Sequence, residues 1–300
     1  MIAKGEDTML LKELGYKSGD RLLIINADDF GMCNSTNRAI RSLLEDGFIT
    51  STSLMFTCPW MREAAAIAKA YPEFDVGIHL TFTSEWENFK WGPITPFDRR
   101  ISFVDELGHF PKDVVPVGLA DPDDIRKECI AQIETAFRLG VDPTHLDNHM
   151  ISLHGAAGTK RHFMELVIEL SAKYGLPLRM PRHAYDFIPY EEQMIRLADE
   201  QGVIIPDYLQ VLPFTPAQDM DYGTFIQYTA DILRGLSEGV TELIFHPSLE
   251  SEELKAITST WQHRNMEYHL FRDPLIQSVI REENIILIKW RDLRELQRSR

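Results

Sequence analysis

The chain has 300 residues, of which 44% are hydrophobic and 26% are charged, and its formal net charge is −15 at pH 7. These values are typical of a globular chain with a core large enough to need no disulfides. The acidic balance argues against a nucleic-acid backbone or an anionic membrane as the main partner, and it leaves a neutral substrate such as a sugar open.

The cysteines and the first twenty residues both favour a reducing compartment. Cys33, Cys58 and Cys129 are scattered and odd in number, and no CxxC pair occurs, so we expect no disulfide framework. Residues 1–20 carry charges along their length and lack the apolar core of a signal peptide. No apolar run approaches the roughly 18 residues of a membrane span. We therefore expect a cytoplasmic protein.

Short apolar runs alternate with amphipathic segments from one end of the chain to the other. This alternation predicts parallel strands joined by helices. We expect residues 1–300 to form one catalytic domain. Its fold should be α/β, a parallel barrel of the (β/α)8-like type that can be distorted. An open doubly wound sheet is the alternative. The eight predicted strands are 21–27, 50–56, 75–82, 144–150, 176–181, 202–208, 241–247 and 284–290.

Three helices have recognisable ends in the sequence. A helix over 122–139 should be capped by Asp121 and stopped by Gly140, with Pro122 in its first turn. An apolar stripe predicts a second helix over 160–174. A helical stretch over 258–283 should be interrupted at Pro274.

Residues 84–120 are too many for an ordinary strand-to-helix connection, and they are rich in Trp, Phe and Gly. Two interpretations are equally open. The segment is either a loop that contacts the substrate, through Trp86, Trp91 and Phe97, or an ordered excursion with a small core of its own.

Two adjacent carboxylates, Asp28 and Asp29, end the apolar run LLIINADDFG. Burying a lone charge is costly, so each carboxylate needs water, a partner or a metal. A single Asp here would suggest a turn or a helix cap, whereas two favour a functional site. Adjacent residues of a straight strand face opposite ways, so both can enter one cavity only if the chain bends at 28–29, which Gly31 would help.

Other polar residues also fall at the ends of predicted strands. The carboxyl ends of parallel strands meet at one rim, where barrel enzymes carry their active sites, so we expect these side chains to converge. On the fourth strand, alternate residues should share one face. The residues concerned are His79, His145, Asp147, His149, Arg179, Arg182, Asp207 and His246.

The joint placement of Asp29, His79, His149 and His246 favours a metal site over isolated structural histidines. Imidazole suits zinc, iron or nickel, and carboxylates extend the choice to magnesium or manganese. A cation would keep Asp29 ionised and lower the pKa of a bound water, from which Asp28 could take a proton. We expect His145 to be structural or to support a ligand.

The segments that carry these residues resemble the YdjC-like carbohydrate (chitooligosaccharide-type) deacetylase family. NADDFG, GIHLTFT and THLDNHM occur in this order, and ELIFHPS, Arg264 with Glu267, and IILIKWRDL follow. The resemblance extends from about residue 21 to 293. Asn148 and Ile151 stand where many members carry Ser and a further His.

The resemblance implies a (β/α)-barrel hydrolase that removes N-acetyl groups from acetylated amino sugars with Mg²⁺ or Zn²⁺. It implies Asp29, His79 and His149 as metal ligands, Asp28 as the catalytic base and His246 as the acid. From their positions we add further expectations: Arg182, Trp86 and Trp91 as substrate-binding residues, and His145 and Asp147 as supports for the ligands.

Other functions fit parts of the pattern. Two His and one carboxylate also bind iron in oxygenases, whose oxygen uptake would reveal them. A metal phosphoesterase is weakened by the absence of a Gly-rich phosphate loop. A non-catalytic sugar-binding barrel would hold metal without releasing acetate. We expect an acetylated amino sugar or oligosaccharide as the substrate, and we expect neither nucleic acid nor a membrane as a partner. If the chain associates with itself, we expect a homodimer.

Overall fold

The computed structural model describes residues 9–96, 101–155, 162–183, 192–213 and 220–300. Within these ranges, parallel strands form one sheet in the order β4-β3-β2-β1-β6-β5, and β7 lies beside the first half of β1. The strands are β1 (Arg21–Phe30), β2 (Ser51–Leu54), β3 (Val76–Leu80), β4 (Leu146–Asn148), β5 (Tyr208–Val211), β6 (Gly239–Phe245) and β7 (Ile286–Leu287).

The sheet curls, and backbone hydrogen bonds continue it from β4 towards β6 through irregular chain. Leu178 forms a parallel bridge to Leu146 of β4, and its N–H donates to the carbonyl of Ile204 at 3.0 Å. The N–H of Asp207 donates in turn to the carbonyl of Val240 of β6 at 2.9 Å. The fold is therefore a distorted (β/α) barrel, as predicted.

Three predicted strands differ from the structure. The segment 284–290 contributes only the two residues of β7, because β2 and β6 already occupy the two sides of the rest of β1. The segment 176–181 makes a single bridge, since Pro177 and Pro181 lack the N–H groups that a regular strand needs. The predicted strand 202–208 shares only Tyr208 with β5, and the other five predicted strands are present with shifted bounds. That residues 1–300 make a single domain stays a prediction.

The helices between the strands follow their sequence signals. Asp121 caps the helix that starts at Pro122, by accepting a hydrogen bond from the N–H of Asp123 at 2.8 Å. The predicted helix over 258–283 is divided in two, and Pro274 begins its second part. The helices are α1 (Met9–Glu13), α2 (Asn34–Glu45), α3 (Met61–Ala70), α4 (Val115–Gly118), α5 (Pro122–Arg138), α6 (Met164–Tyr174), α7 (Glu192–Glu200), α8 (Tyr222–Arg234), α9 (Glu252–Ile257), α10 (Trp261–Leu270), α11 (Pro274–Glu282) and α12 (Trp290–Ser299), with one 3₁₀ turn at His149–Ile151.

One side of β1 changes from apolar to polar along the strand. Leu22 and Ile24 pack in a buried cluster with Trp290 of α12. Alternate side chains of a strand face the same side, so Asn26 and Asp28 continue that side towards the carboxyl end. An apolar cluster thus fills one end of the barrel, and buried polar groups lie at the other.

Aromatic side chains of the segment 84–120 extend the main buried core of the barrel. Trp91, Phe103 and Phe110 are buried, and the rings of Phe103 and Phe110 lie 5.4 and 5.9 Å from that of Phe82. The segment is thus ordered over its described part, but these side chains join the main core and do not form the separate core of the second interpretation. Within the described ranges, no helix combines the length and the apolar character needed to cross a membrane.

Candidate active site

The chain bends where the two adjacent carboxylates lie. Asp29 has a φ of +68° and Gly31 a φ of +92°, and the pairing of β1 with β2 shifts register between Ala27 and Phe30. Asp is among the residues that best tolerate a positive φ. Because of this bend, the side chains of Asp28 and Asp29 both line one cavity.

This cavity has a volume of about 510 Å³ and opens at the carboxyl ends of the strands. Its walls differ in chemistry. One wall carries ionisable side chains from the ends of β1, β3, β4 and β6, and another is aliphatic. The first includes Asp28, Asp29, His79, His149 and His246, and the second includes Pro181, Leu209, Val211 and Ile244.

Three predicted ligands converge at the polar wall. Asp29 Oδ1 lies 3.7 Å from His79 Nε2 and 3.4 Å from His149 Nδ1. Ligands that lie about 2.1 Å from one divalent ion are separated by roughly 3 to 3.5 Å, so these distances fit a common cation. Within the described part of the chain, the buried Asp29 Oδ1 has no hydrogen-bond partner, as expected of an atom kept for an ion.

Each histidine of this triad has a carboxylate beside its second ring nitrogen, the one that does not face Asp29. Asp147 Oδ1 lies 2.7 Å from His79 Nδ1, and Glu85 Oε2 lies 3.0 Å from His149 Nε2. Metal-binding histidines usually carry such a partner on the second ring nitrogen, where it fixes the orientation of the ring. Glu85 lies in a loop without a distinctive pattern, so the sequence did not indicate it.

The charges around the triad favour a cation. Burial alone would raise the pKa of Asp29, but Arg264, whose Nη1 lies 2.8 Å from Asp29 Oδ2, and the nearby histidines hold that pKa well below its usual range. Burial lowers the pKa of His149, yet Glu85 and Asp29 together raise it to about 10. The site therefore keeps Asp29 ionised and stabilises positive charge beside it.

Asp28 is held by different partners. Arg179 donates to both oxygens of Asp28 at 2.8 Å, and Asn26 Nδ2 donates to Oδ1, also at 2.8 Å. His246 Nε2 lies 3.9 Å from Asp28 Oδ2. Arg179 also pairs with Glu242 and with Asp147, so this arginine, predicted to lie at the site, forms salt bridges with three acidic neighbours.

Two other groups of side chains lie close enough together to bind an ion, but their oxygens have protein partners. They are Asp28 with His79 and Asp147, and His145 with Asp147 and Glu242. Arg179 pairs with the three carboxylates of these groups. The triad of Asp29, His79 and His149 is thus the best candidate among the described residues.

His145 lies below the site. Its buried ring stacks on Trp290, with ring centroids 4.6 Å apart, and its Nε2 lies 3.6 Å from Asp147 Oδ2. The prediction that one strand carries His145, Asp147 and His149 is wrong. Strand β4 covers only Leu146–Asn148, and His149 begins the 3₁₀ turn.

The three predicted substrate-binding residues are placed differently. Trp86 lines the cavity, and the guanidinium carbon of Arg264 lies 5.6 Å from the centre of its ring. Trp91 is buried beneath Trp86, with ring centroids 5.6 Å apart, and does not line the cavity. Arg182 lines a separate cavity and pairs with Asp199, because the chain turns away from the site beyond Pro181. The predicted Phe97 lies outside the described residues.

Besides Glu85, residues of α10 that line the cavity were missed as site residues. Glu267 occurs in the sequence pattern without a predicted role, and His263 was not considered. Both lie on α10 one turn apart, and both line the cavity. Their spacing of four residues on a helix is the signal that could have indicated a shared face.

The fold and the site define a (β/α)-barrel protein with buried ionisable groups at the carboxyl ends of its strands, which is where barrel enzymes carry out their chemistry. A family model described as YdjC-like protein matches residues 22–282. The chain belongs to this family.

Named relatives match over almost the whole chain. A carbohydrate deacetylase of Thermoanaerobacter pseudethanolicus is 30% identical and covers 90% of this chain and 98% of its own. A carbohydrate deacetylase of Geobacillus stearothermophilus is 29% identical, with coverage of 92% and 99%. The crystal structure of a putative cellobiose-phosphate cleavage protein from Enterococcus faecalis has a TM-score of 0.73 and 27% identity, with coverage of 91% and 99%.

Proposed function

We propose that this protein is a metal-dependent hydrolase that removes N-acetyl groups from acetylated amino sugars or oligosaccharides. The named relatives support the deacetylase activity. The observation that carries the metal dependence is the buried, unpartnered Oδ1 of Asp29, which faces two histidine nitrogens at 3.4 and 3.7 Å.

Asp29, His79 and His149 would hold a divalent ion, Mg²⁺ or Zn²⁺. When bound, such an ion lowers the pKa of a water and polarises the acetamide carbonyl. Asp147 and Glu85 keep the two imidazole rings turned towards the ion, through contacts of 2.7 and 3.0 Å.

Asp28 would act as the base that takes a proton from the attacking water. Its carboxylate is fixed by two hydrogen bonds from Arg179 and one from Asn26, so it needs no reorientation during the reaction.

His246 would donate a proton to the amide nitrogen, because an amine leaves poorly until it is protonated. Burial, with Arg264 and His79, lowers the pKa of His246 to about 4, so its ring is neutral at neutral pH. We infer that the proton comes from Asp28; its Oδ2 lies 3.9 Å from His246 Nε2, so the transfer would pass through one intervening hydroxyl group or water. Water then supplies both the hydroxyl group of the acetic acid, which ionises to acetate, and the proton that the amine nitrogen gains.

The test is an acetate-release assay on N-acetylglucosamine oligomers with the purified protein. We expect release of one acetate per free amine, loss of release after chelation, and recovery with Mg²⁺ or Zn²⁺. Retained metal without acetate release from any acetylated sugar would favour a non-catalytic barrel, and oxygen uptake would favour the oxygenase. A cytoplasmic location and a homodimer stay predictions.

A further inference from the structure

Two places on the cavity lining hold buried polar atoms without a partner in the described part of the chain. The first is Asp29 Oδ1, in the metal triad. The second is on α10, where Glu267 Oε1 and the ring nitrogens of His263 have no partner at ordinary hydrogen-bond geometry, although the Pro213 backbone lies close enough to His263 to act on its pKa. The side chain of Glu267 is 1% exposed and that of His263 is 4% exposed, so solvent does not readily satisfy these atoms.

The neighbours of this pair are already engaged. The hydroxyls of Thr258 and Thr260 lie 2.9 Å apart in one hydrogen bond, and Arg264 pairs with Asp29. Glu267 Oε2 accepts a hydrogen bond from the backbone N–H of His246 at 3.1 Å. This bond fixes the carboxyl group, and Oε1 is left without a partner among the described residues. His263 Nε2 and Glu267 Oε1 lie 3.7 Å apart, too far for a direct hydrogen bond.

We propose that Glu267 Oε1 and His263 form a binding subsite for one hydroxyl group of the sugar that carries the N-acetyl group. A buried polar group left without a partner is costly, so its retention on a cavity wall indicates a ligand that supplies the missing hydrogen bonds. A hydroxyl can donate one hydrogen bond and accept another, so one hydroxyl can serve both side chains.

The protonation states of Glu267 and His263 favour an uncharged ligand group over an ion. Burial raises the pKa of Glu267 to about 8 against the pull of Arg264, so the carboxyl group is mostly protonated at neutral pH. Burial also lowers the pKa of His263, and the nearby Pro213 carbonyl only partly offsets this. A neutral acid beside a neutral imidazole suits a hydroxyl better than a phosphate or an ammonium group.

The subsite rests on the proposed function, since it assumes an acetylated sugar in this cavity. The test compares kcat/KM for the N-acetylglucosamine dimer with that for analogues in which one hydroxyl at a time is replaced by hydrogen. With the wild-type protein we expect one analogue to react at least about tenfold more slowly than the parent, because it leaves the pair unsatisfied.

The variants His263→Leu and Glu267→Leu should each reduce that difference to about twofold or less, whereas Glu267→Gln, which keeps an acceptor and a donor, should retain it. His269→Leu is the matched control, because His269 is an exposed residue of the same helix and lies outside the cavity lining. We expect it to retain the full difference. If Glu267→Leu fails to fold, the result for His263→Leu alone tests the subsite. His263 makes no hydrogen bond to His246, so its replacement leaves that backbone contact intact.

Equal rates for the parent and all analogues with the wild-type protein would overturn the subsite and leave the deacetylase function standing. Discrimination that survives in both leucine variants would also overturn it. If no acetylated sugar releases acetate, the proposed function fails, and calorimetric binding of the same analogues then tests the subsite. Weaker binding of one analogue to the wild type but not to His263→Leu supports it, and equal binding overturns it.

Discussion

Asp28 and Asp29 are neighbours in the chain but have different electrostatic partners. Asp28 accepts hydrogen bonds from Arg179 and Asn26. One oxygen of Asp29 accepts a hydrogen bond from Arg264, and its other oxygen faces two histidines. The first is a carboxylate with both oxygens hydrogen-bonded, and the second keeps a free oxygen for an ion. These partners support the proposed roles of Asp28 as the base and of Asp29 as a metal ligand.

The assignment of Asp28 predicts that Asp28→Asn retains the metal and loses activity, by roughly 10²- to 10⁴-fold in kcat, because a general base contributes about that much. Asp29→Ala should lose both metal and activity. Elemental analysis and acetate release on the same preparations measure the two effects. Normal turnover of Asp28→Asn would refute the assigned base.

Arg179, which lines the cavity, neutralises a cluster of buried carboxylates. It pairs with Asp28, Asp147 and Glu242, which are all buried. Arg179→Met leaves these carboxylates without their cation and should lower the free energy of unfolding by about 3–5 kcal/mol. Urea denaturation followed by circular dichroism measures the change.

Arg182→Met is the matched control for that variant. Arg182 pairs with Asp199 at the surface, where the two side chains are 30% and 49% exposed. Such pairs contribute at most about 1 kcal/mol, so we expect a change within that limit. An equal loss of stability in both variants would contradict the buried role of Arg179.

Among the strands, β3 is constrained by the ring beneath it. A Cβ at Gly77 would lie 2.2 Å from Cε1 of His145, and that ring is held against Trp290. We expect Gly77→Ala to lower the free energy of unfolding by about 1–3 kcal/mol through overpacking. Gly223→Ala in α8 meets only Asp221 Oδ1, at 3.5 Å, and should instead stabilise by about 0.5–1 kcal/mol. Thermal unfolding of the two variants should show a lower melting temperature for Gly77→Ala and a higher one for Gly223→Ala.

Helix α10 should make stability depend on pH. The pKa of Glu267 is raised from 4.5 to about 8, so between these values the folded state keeps a proton that the unfolded state has released. The stabilisation is fully present below pH 4.5 and is lost as the pH rises towards 8. We therefore expect the wild type to lose stability relative to Glu267→Gln between pH 5 and 8. Parallel stability curves for the two proteins would contradict the raised pKa.

For the molecule as a whole, the sequence predicted the parts that depend on local pattern. The apolar run before Asp28, the cap at Asp121 and the polar strand ends indicated a parallel barrel with a site at one rim. The alternation of strand and helix did not show that β7 would pair with only two residues of β1, because β2 and β6 occupy the rest.

The site residues that the sequence did not indicate depend on long-range contacts. Glu85 supports His149 across 64 positions of the chain, and no local pattern encodes that contact. Arg182 shows the opposite case. It follows a predicted strand end, but Pro181 precedes it and the side chain reaches Asp199 instead of the cavity.

The central claim is that Asp29, His79 and His149 hold one cation. Anomalous X-ray diffraction at the zinc edge, from crystals soaked in zinc, tests it most directly. We expect a peak about 2.0–2.2 Å from Asp29 Oδ1 and from one ring nitrogen of each histidine. An absence of density there, or a peak held by His145, Asp147 and Glu242 instead, would contradict it.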